Sequence, residues 1–563
     1  MNRGVDALGV KVRQAYARIE QFGRPEVWIA LRPVEDVLAE AASVDPDAPL
    51  AGVLVAVKDN IDVAGLPTTA AAPSFAYRPD RDSTAVARLR AAGALVLGKT
   101  NLDQFATGLV GTRSPHGAVR HAFAPDRISG GSSSGSAVAV ALGFVDVALG
   151  TDTAGSGRVP AALHGLVGVK PTRGLVPNTG VVPACRSLDC VTVFARDLAT
   201  ARRVAEELTG LDGLDPLARV DAPLPPPPAR PRIAVPTAEH LQGLADGWAE
   251  AFARYVERVR AAGADVVEVD VAPLLEAADL LYGGAFVAER TAAVGRHLRE
   301  NAHLVGTDLD PTVAGIVSAG EHVSAAEVFR DRERLDVLAA RARDLLAGTT
   351  ALLTPTTTWH PTLAEVAADP VGANARMGRF TNFANLLDMA SLAVPAGTVD
   401  GLPFGVMLTG PAFSDRALAV LAQRWADVTV DLLVVGAHLS GQPLHHELVA
   451  AGATLVGPAT TAPQYRLFAL DTVPPKPGMV RDPAGAGVLG EVWRLTAAGF
   501  GAFVAALPQP MTIGAVTLDD GRVVRGFLAE PAALEGAREI TAAGSWLAAR
   551  AAGAGEVVAA SAG

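Results

Sequence analysis

The stretch GGSSSGSAVAVALGFVDVALGTDTAGSGRVP, residues 130–160, decides how the chain is read. Serine and glycine crowd both ends. Between them, GSAVAVALGF is an alanine-rich helical run and VDVALGTD is a β-rich one. Working outward, GVLVAVKD (52–59) and ALVLGKT (94–100) are further short β-rich runs, separated by the helical DSTAVARLRAAG (82–93). Alternation of this kind from about residue 50 to 200 predicts an α/β core.

The flanks extend that core. VDALGVKVRQAYARIEQF and RPVEDVLAEAASV, within the first 45 or so residues, carry apolar residues at helical spacing. The proline run VDAPLPPPPARPR, about 220–232, must be extended and exposed, and because strand and helix patterns resume at once it reads as a surface loop within one domain. Long amphipathic helices are expected over about 240–350, followed by strand and turn character in LLTPTTTWHPT and ASLAVPAGTVDGLPFGVML. A second change falls where the helical DRALAVLAQRWADV gives way to DLLVVGAHLSG and then to short strands such as EVWRL, MTIGAVTLDDG and RVVRGFL. The expected organisation is a domain over 1–430, a smaller α+β domain over 431–550, and a disordered tail over 551–563.

Composition narrows the chemistry. A formal net charge of -11 argues against a nucleic-acid partner or an anionic membrane surface, since phosphate binding needs clustered Lys and Arg. A small-molecule substrate fits better. Two cysteines, Cys185 and Cys190, make neither a disulfide framework nor a zinc site, and the N-terminus has no apolar leader, so a reducing cytoplasm is expected. Of the 48 basic residues only Lys11, Lys58, Lys99, Lys170 and Lys476 are lysine. Arginine cannot be deprotonated in a protein and a buried lysine can, so the retained lysines are candidates for places where guanidinium would fail, chance retention accounting for some of them.

If a serine in 130–160 is a nucleophile, something must take its proton. The histidines before residue 430 are scattered singly and none sits in a recognisable triad motif. Lys58, at the end of the apolar run GVLVAVK, is the remaining candidate, because desolvation there favours the neutral amine. A second serine could pass the proton between them. The glycine-rich loop could otherwise be a phosphate cradle, but the pattern GxxxxGK[ST] is absent.

Lys58 after an apolar strand, GGSSSGS at 130–136 and GTDTAGSGRVP at 150–160 together resemble the amidase signature family, whose fold is a mixed central β-sheet flanked by helices. That family uses a Ser-cis-Ser-Lys triad with its two serines 24 positions apart, the spacing of residues 132 and 156 here. The resemblance implies Ser156 as nucleophile, Ser132 as bridging serine, Lys58 as base, and the backbone amides of Thr153, Ala154, Gly155 and Ser156 as the oxyanion hole. Two departures are GGSSSGS for the usual GGSSGGS, and Ala154 where the family has glycine.

Tyr282 and Arg290 lie eight residues apart in LLYGGAFVAERTAAVGRHL, and on one helix they would project within about 80° of each other. The segment resembles the substrate helix of allophanate hydrolases, in which the matching Tyr and Arg bind the substrate carboxylate; Arg158 is a third candidate for that anion. LLVVGAHLSGQPLHHEL, TAPQYRLFAL, PPKPGMVR and GEVWRL resemble the C-terminal domain of the same enzymes, itself similar to γ-glutamylcyclotransferases. The resemblance implies cleavage of allophanate, H2N-CO-NH-COO⁻, to ammonia and N-carboxycarbamate, then decarboxylation by the second domain with a histidine as base, in urea degradation. His438 is the expected histidine, with His445 and His446 as alternatives. These three lack the spacing and the cysteine or acidic partner of a zinc site. A homodimer, coupling to a urea carboxylase, and the absence of metal or organic cofactor are also implied. The competing readings are a broad-specificity amidase and a tRNA-dependent amidotransferase subunit, and the segment after 431 could be a docking module only.

Overall fold

The computed structural model describes residues 2–426 and 429–553, and the chain divides into two compact units, one up to Trp425 and one from Ala426 onward. The first unit is built on eleven strands: β1 (Trp28–Leu31), β2 (Leu54–Lys58), β3 (Leu95–Thr100), β4 (Val147–Asp152), β5 (Val167–Lys170), β6 (Cys190–Ala195), β7 (Arg232–Pro236), β8 (Asp265–Val269), β9 (Ala351–Pro355), β10 (Met389–Val399) and β11 (Leu402–Pro411). They form one sheet in the order β1-β3-β2-β4-β6-β5-β10-β11-β9-β7-β8. β2 runs parallel to both β3 and β4, and β7 parallel to β8 and β9; the other pairings are antiparallel. The fold is therefore the expected mixed α/β sheet.

Period-two alternation explains why β2, β3 and β4 are buried throughout. In β2, Val55 and Val57 join one apolar cluster, while Leu54 and Ala56 join another on the opposite face. Val147 and Leu149 of β4 likewise face the first cluster and Ala148 the second. A sheet covered on both faces needs apolar side chains at every position, which is why these runs read as continuous rather than alternating. The second layer is closed by the helix Ser134–Ala141, buried along its whole length because its side chains are no larger than valine. Strand polarity then brings Lys58, Thr151 and Asp152 to the carboxyl ends of neighbouring strands, where open α/β sheets place their ligand sites.

The proline run carries no regular structure, and the carbonyls of Pro227 and Pro228 accept hydrogen bonds from Arg424, so it lies along the first unit as a surface loop. The region 240–350 is mainly helical, with β8 inserted after the first long helix. One expectation fails there. Tyr282 and Arg290 do not share a helix: the first ends at Gly283, Gly284 is extended (φ -112°, ψ -171°), and a new helix runs over Ala288–Glu300. The glycine pair breaks the helix, so the two side chains share no helical face.

The second unit holds β12 (Thr429–Val434), β13 (Thr454–Thr460), β14 (Tyr465–Leu470), β15 (Lys476–Arg481), β16 (Leu489–Thr496), β17 (Met511–Thr517), β18 (Val523–Ala529) and β19 (Arg538–Glu539). Five form a sheet in the order β13-β16-β12-β18-β17 and three a smaller one, β15-β14-β19. Its own core gathers Leu432, Val434, Val492, Val516, Phe527 and Trp546. The tail expected to be disordered lies, from residue 554 on, outside the described residues.

Candidate active site

Lys58 ends β2 fully buried, with Nζ 2.7 Å from Ser132 Oγ, and Ser132 Oγ lies 2.9 Å from Ser156 Oγ. The three side chains named from the sequence thus form one continuous chain of contacts. The Gly131–Ser132 peptide is cis. Gly131 admits no side chain: a Cβ would stand 2.0 Å from Asp103 Oδ2, and that carboxylate accepts the amides of Val110, Gly111 and Arg113.

Burial pushes the Lys58 amine down to about 7, and the charges of Asp103, Asp152 and Asp189 pull the other way. A lysine near that value holds a substantial neutral fraction at physiological pH. The neutral amine has two N–H bonds and one lone pair. Thr151 offers an acceptor for each N–H, its Oγ1 at 2.8 Å and its carbonyl at 3.4 Å, which leaves the lone pair for the Ser132 hydroxyl. Asn60 Nδ2 also donates to Thr151 Oγ1, at 3.3 Å. Thr151 and Asn60 were not legible in the motif; the contacts arise only when β2 and β4 pair.

The turn Thr153–Ser156 follows β4, and among the described residues none of its four backbone N–H groups donates to a protein acceptor. Free amides beside a nucleophile are what an oxyanion requires. Gly155 has φ +145°, and a Cβ there would meet Thr381 Oγ1 at 2.3 Å. Ala154, the departure from the family pattern, is buried and is not among the residues of positive φ, so its methyl group fits where it stands.

Arg158 is not available to a substrate. Its Nε and Nη2 donate to the two oxygens of Asp152 at 2.9 and 2.8 Å, and the remaining donors reach the Thr381 carbonyl, Asn385 Oδ1 and Met407 Sδ. The pair is fully buried, so its charge is neutralised inside the fold. The sequence-based assignment of Arg158 to the anion is corrected on this ground.

Tyr282 and Arg290 do meet, across the helix break, with the guanidinium carbon 4.5 Å from the ring centroid. Arg290 is 1 % exposed, and among the described residues no carboxylate lies within ion-pair distance of it. Its Nη1 contacts Cys185 Sγ at 2.7 Å, while Nε and Nη2 are buried without a partner. Tyr282 also lines a cleft of about 1110 Å³ with Arg113, Val287, Asn374, Arg376 and Asn382. Arg113 and Asn374 bond to Thr107 and Leu109, flanking Gly108, whose carbonyl accepts from Ser156 Oγ at 3.4 Å.

Histidines play no part in this constellation. His121, His164 and His360, scattered in sequence, pack together, His164 stacked on His121 and His360 edge-on to it, each ring bonded to a backbone carbonyl (Leu163, Pro160 and Ile128). Burial holds all three well below the usual histidine range, His164 at about 3 and His360 at about 4.

In the second unit, His438 lines a cavity of about 560 Å³ whose other polar side chains are Glu447 and Lys476. Its Nε2 is 2.9 Å from Glu447 Oε2 and its ring stacks on Phe527, 5.0 Å between centroids. Burial lowers the imidazole below its ordinary value, and Glu447 opposes that shift. His445 and His446 do not line the cavity. Glu447 supplies the acidic neighbour that the sequence reading held to be missing, but among the described residues no group of three ligating side chains could hold a metal ion.

Residues 11–419 match the amidase family, and residues 430–551 match the allophanate hydrolase C-terminal domain. The urea amidolyase of Lachancea kluyveri is 44% identical over 523 residues, which cover 86% of this chain but 28% of that protein. The chain thus spans less than a third of the length of the curated urea amidolyases it matches. A glutamyl-tRNA(Gln) amidotransferase subunit of Thermus thermophilus is 35% identical over 75% of this chain and 94% of that one. The allophanate hydrolase of Kluyveromyces lactis superposes with a TM-score of 0.70 at 39% identity, covering 97% of each chain. The chain belongs to the amidase family, and its amidase portion is followed by an allophanate hydrolase C-terminal domain.

Proposed function

We infer that the chain is an amidohydrolase that cleaves allophanate in urea degradation. The observation that carries this reading is the buried guanidinium of Arg290, which has no carboxylate partner among the described residues and has two donors unused. A buried cation whose nearest negative charge, Asp189, acts on it only through its field is costly, and a substrate that brings its own carboxylate supplies the missing ion pair. Neutral amides do not.

In the proposed reaction Ser156 attacks the terminal amide carbonyl while its proton passes to Ser132 and that of Ser132 to Lys58. The amides of Thr153–Ser156 receive the negative oxygen. Collapse of the adduct returns a proton to the leaving nitrogen and frees ammonia. Water then cleaves the acyl-serine, with the same relay as base, to give N-carboxycarbamate. The domain match and the His438 cavity support decarboxylation of that product in the second unit, with His438 as the acting histidine. A urea carboxylase is the proposed source of allophanate, and a cytoplasmic homodimer the proposed form; no described helix is long and apolar enough to cross a membrane.

The test is ammonia yield on allophanate against biuret, urea and simple amides. Rapid turnover of allophanate alone is expected, and rapid cleavage of simple amides with none of allophanate would refute the assignment. The likeness to an amidotransferase component favours a second reading, which requires partner chains and ATP; turnover by the isolated chain without ATP excludes it. His438→Ala should leave the first ammonia release within about twofold of the parent while slowing decarboxylation by on the order of 10². Accumulation of N-carboxycarbamate, followed by ¹³C NMR, is the readout. Parent-like decarboxylation in that variant would remove His438 from the step, and the same result in His445→Ala and His446→Ala would favour a docking module only.

A further inference from the structure

Cys185 and Asp189 stand between the two halves of the site without belonging to either. Asp189 is buried and spends both oxygens: Oδ1 accepts from the Thr153 hydroxyl at 2.5 Å and the Cys185 amide at 3.2 Å, and Oδ2 from the Ala184 amide at 2.9 Å. Its own backbone carbonyl accepts from Asn178 Nδ2 at 2.8 Å. The carboxylate therefore ties the first residue of the oxyanion turn to the backbone of residues 184–185. The Cys185 side chain continues the path to the Arg290 guanidinium.

The chemistry of the middle member matters. Burial pushes the Cys185 thiol up to about 12, so it is neutral at physiological pH. A neutral acceptor can orient a guanidinium without cancelling its charge, whereas a carboxylate in that place would form the ion pair that Arg158 forms with Asp152. Asp189, the charge behind Cys185, spends its hydrogen bonds on the oxyanion turn and the two amides and reaches Arg290 only through its field, with no ion pair between them.

We propose that Cys185 and Asp189 are positioning residues that hold the Arg290 guanidinium, still charged, in a set relation to the Thr153–Ser156 turn, and so place the substrate's carboxylate against its reacting carbonyl. The proposal rests on the reading of Arg290 as the carboxylate anchor. Cys185 acts on the anchor alone, and Asp189 on both the anchor and the turn.

The experiment compares two readouts in the full-length chain: KM and kcat for ammonia release from allophanate, and the rate at which a small neutral fluorophosphonate labels Ser156. The second needs the relay and the turn but no carboxylate anchor. Cys185→Ala should raise KM about tenfold, the loss of one neutral hydrogen bond, with labelling within about twofold of the parent. Cys185→Ser should recover most of the KM. Cys185→Val, which keeps the volume without an acceptor, gives the same comparison as alanine should that variant prove insoluble. Asp189→Asn, which sets an amide against the Ala184 N–H, should raise KM and slow labelling together. Equal losses of labelling and turnover in the Cys185 variants would overturn the proposal by showing a merely structural role. An unchanged KM in Cys185→Ala beside a raised KM in Arg290→Ala would overturn it while leaving the anchor intact. An unchanged KM in Arg290→Ala would remove the anchor reading itself.

Discussion

Ser156→Ala is expected to lower kcat for ammonia release by on the order of 10⁴ or more, with KM close to the parent value. The nucleophile is one member of a unit, and removing one member of such a unit costs nearly as much as removing the whole. Ser156 Oγ contributes little to binding: its contacts are Ser132 Oγ at 2.9 Å and the Gly108 carbonyl at 3.4 Å, neither of which anchors a substrate. The oxyanion amides and the Arg290 guanidinium remain in place, so allophanate should still bind and protect the chain from proteolysis. Ammonia release at more than about a hundredth of the parental rate would mean that another group attacks the amide.

Lys58→Arg should be as inactive as Lys58→Ala, each losing on the order of 10³ or more. Guanidinium stays protonated at any working pH and cannot take a proton from Ser132. Charge is thus retained and function lost. In the parent chain the active form is the neutral amine, which predominates above its pKa of about 7. Activity should therefore rise with pH through about 7 and level off above it, falling about tenfold per unit on the acid side. A Lys58→Arg enzyme of near-parental rate would contradict the role of the amine.

The parts of the site that were legible in the sequence are those that local pattern dictates. β2 and β4 showed as apolar runs because a sheet covered on both faces tolerates little else, and Lys58 stood out because a chain with few lysines retains one at a strand end. The spacing of residues 132 and 156 survived because the helix Ser134–Ala141 and β4 fill it. Arg158 was misread because its partner, Asp152, sits across the turn that β4 makes into Thr153–Ser156, and only that turn folds the two together. The break between Tyr282 and Arg290 was signalled by Gly283 and Gly284, which the angular argument overrode. The roles of Cys185, Asp189 and Thr151 had no local signal: the partners Arg290, Thr153 and Lys58 come from 105, 36 and 93 positions away, although Asp189 also holds the nearby amides of Ala184 and Cys185. Glu447, nine residues beyond His438, was hidden for the same reason, since only the helix starting at His445 aims it back.

The most direct test of a lysine-driven serine is the pH dependence of covalent labelling by a neutral fluorophosphonate, with the modified residue identified by mass spectrometry. The expected result is a single adduct on Ser156 whose rate of formation rises through an inflection near pH 7 in the parent and loses that inflection in Lys58→Ala. Labelling of a different residue, or the same inflection in both proteins, would contradict it.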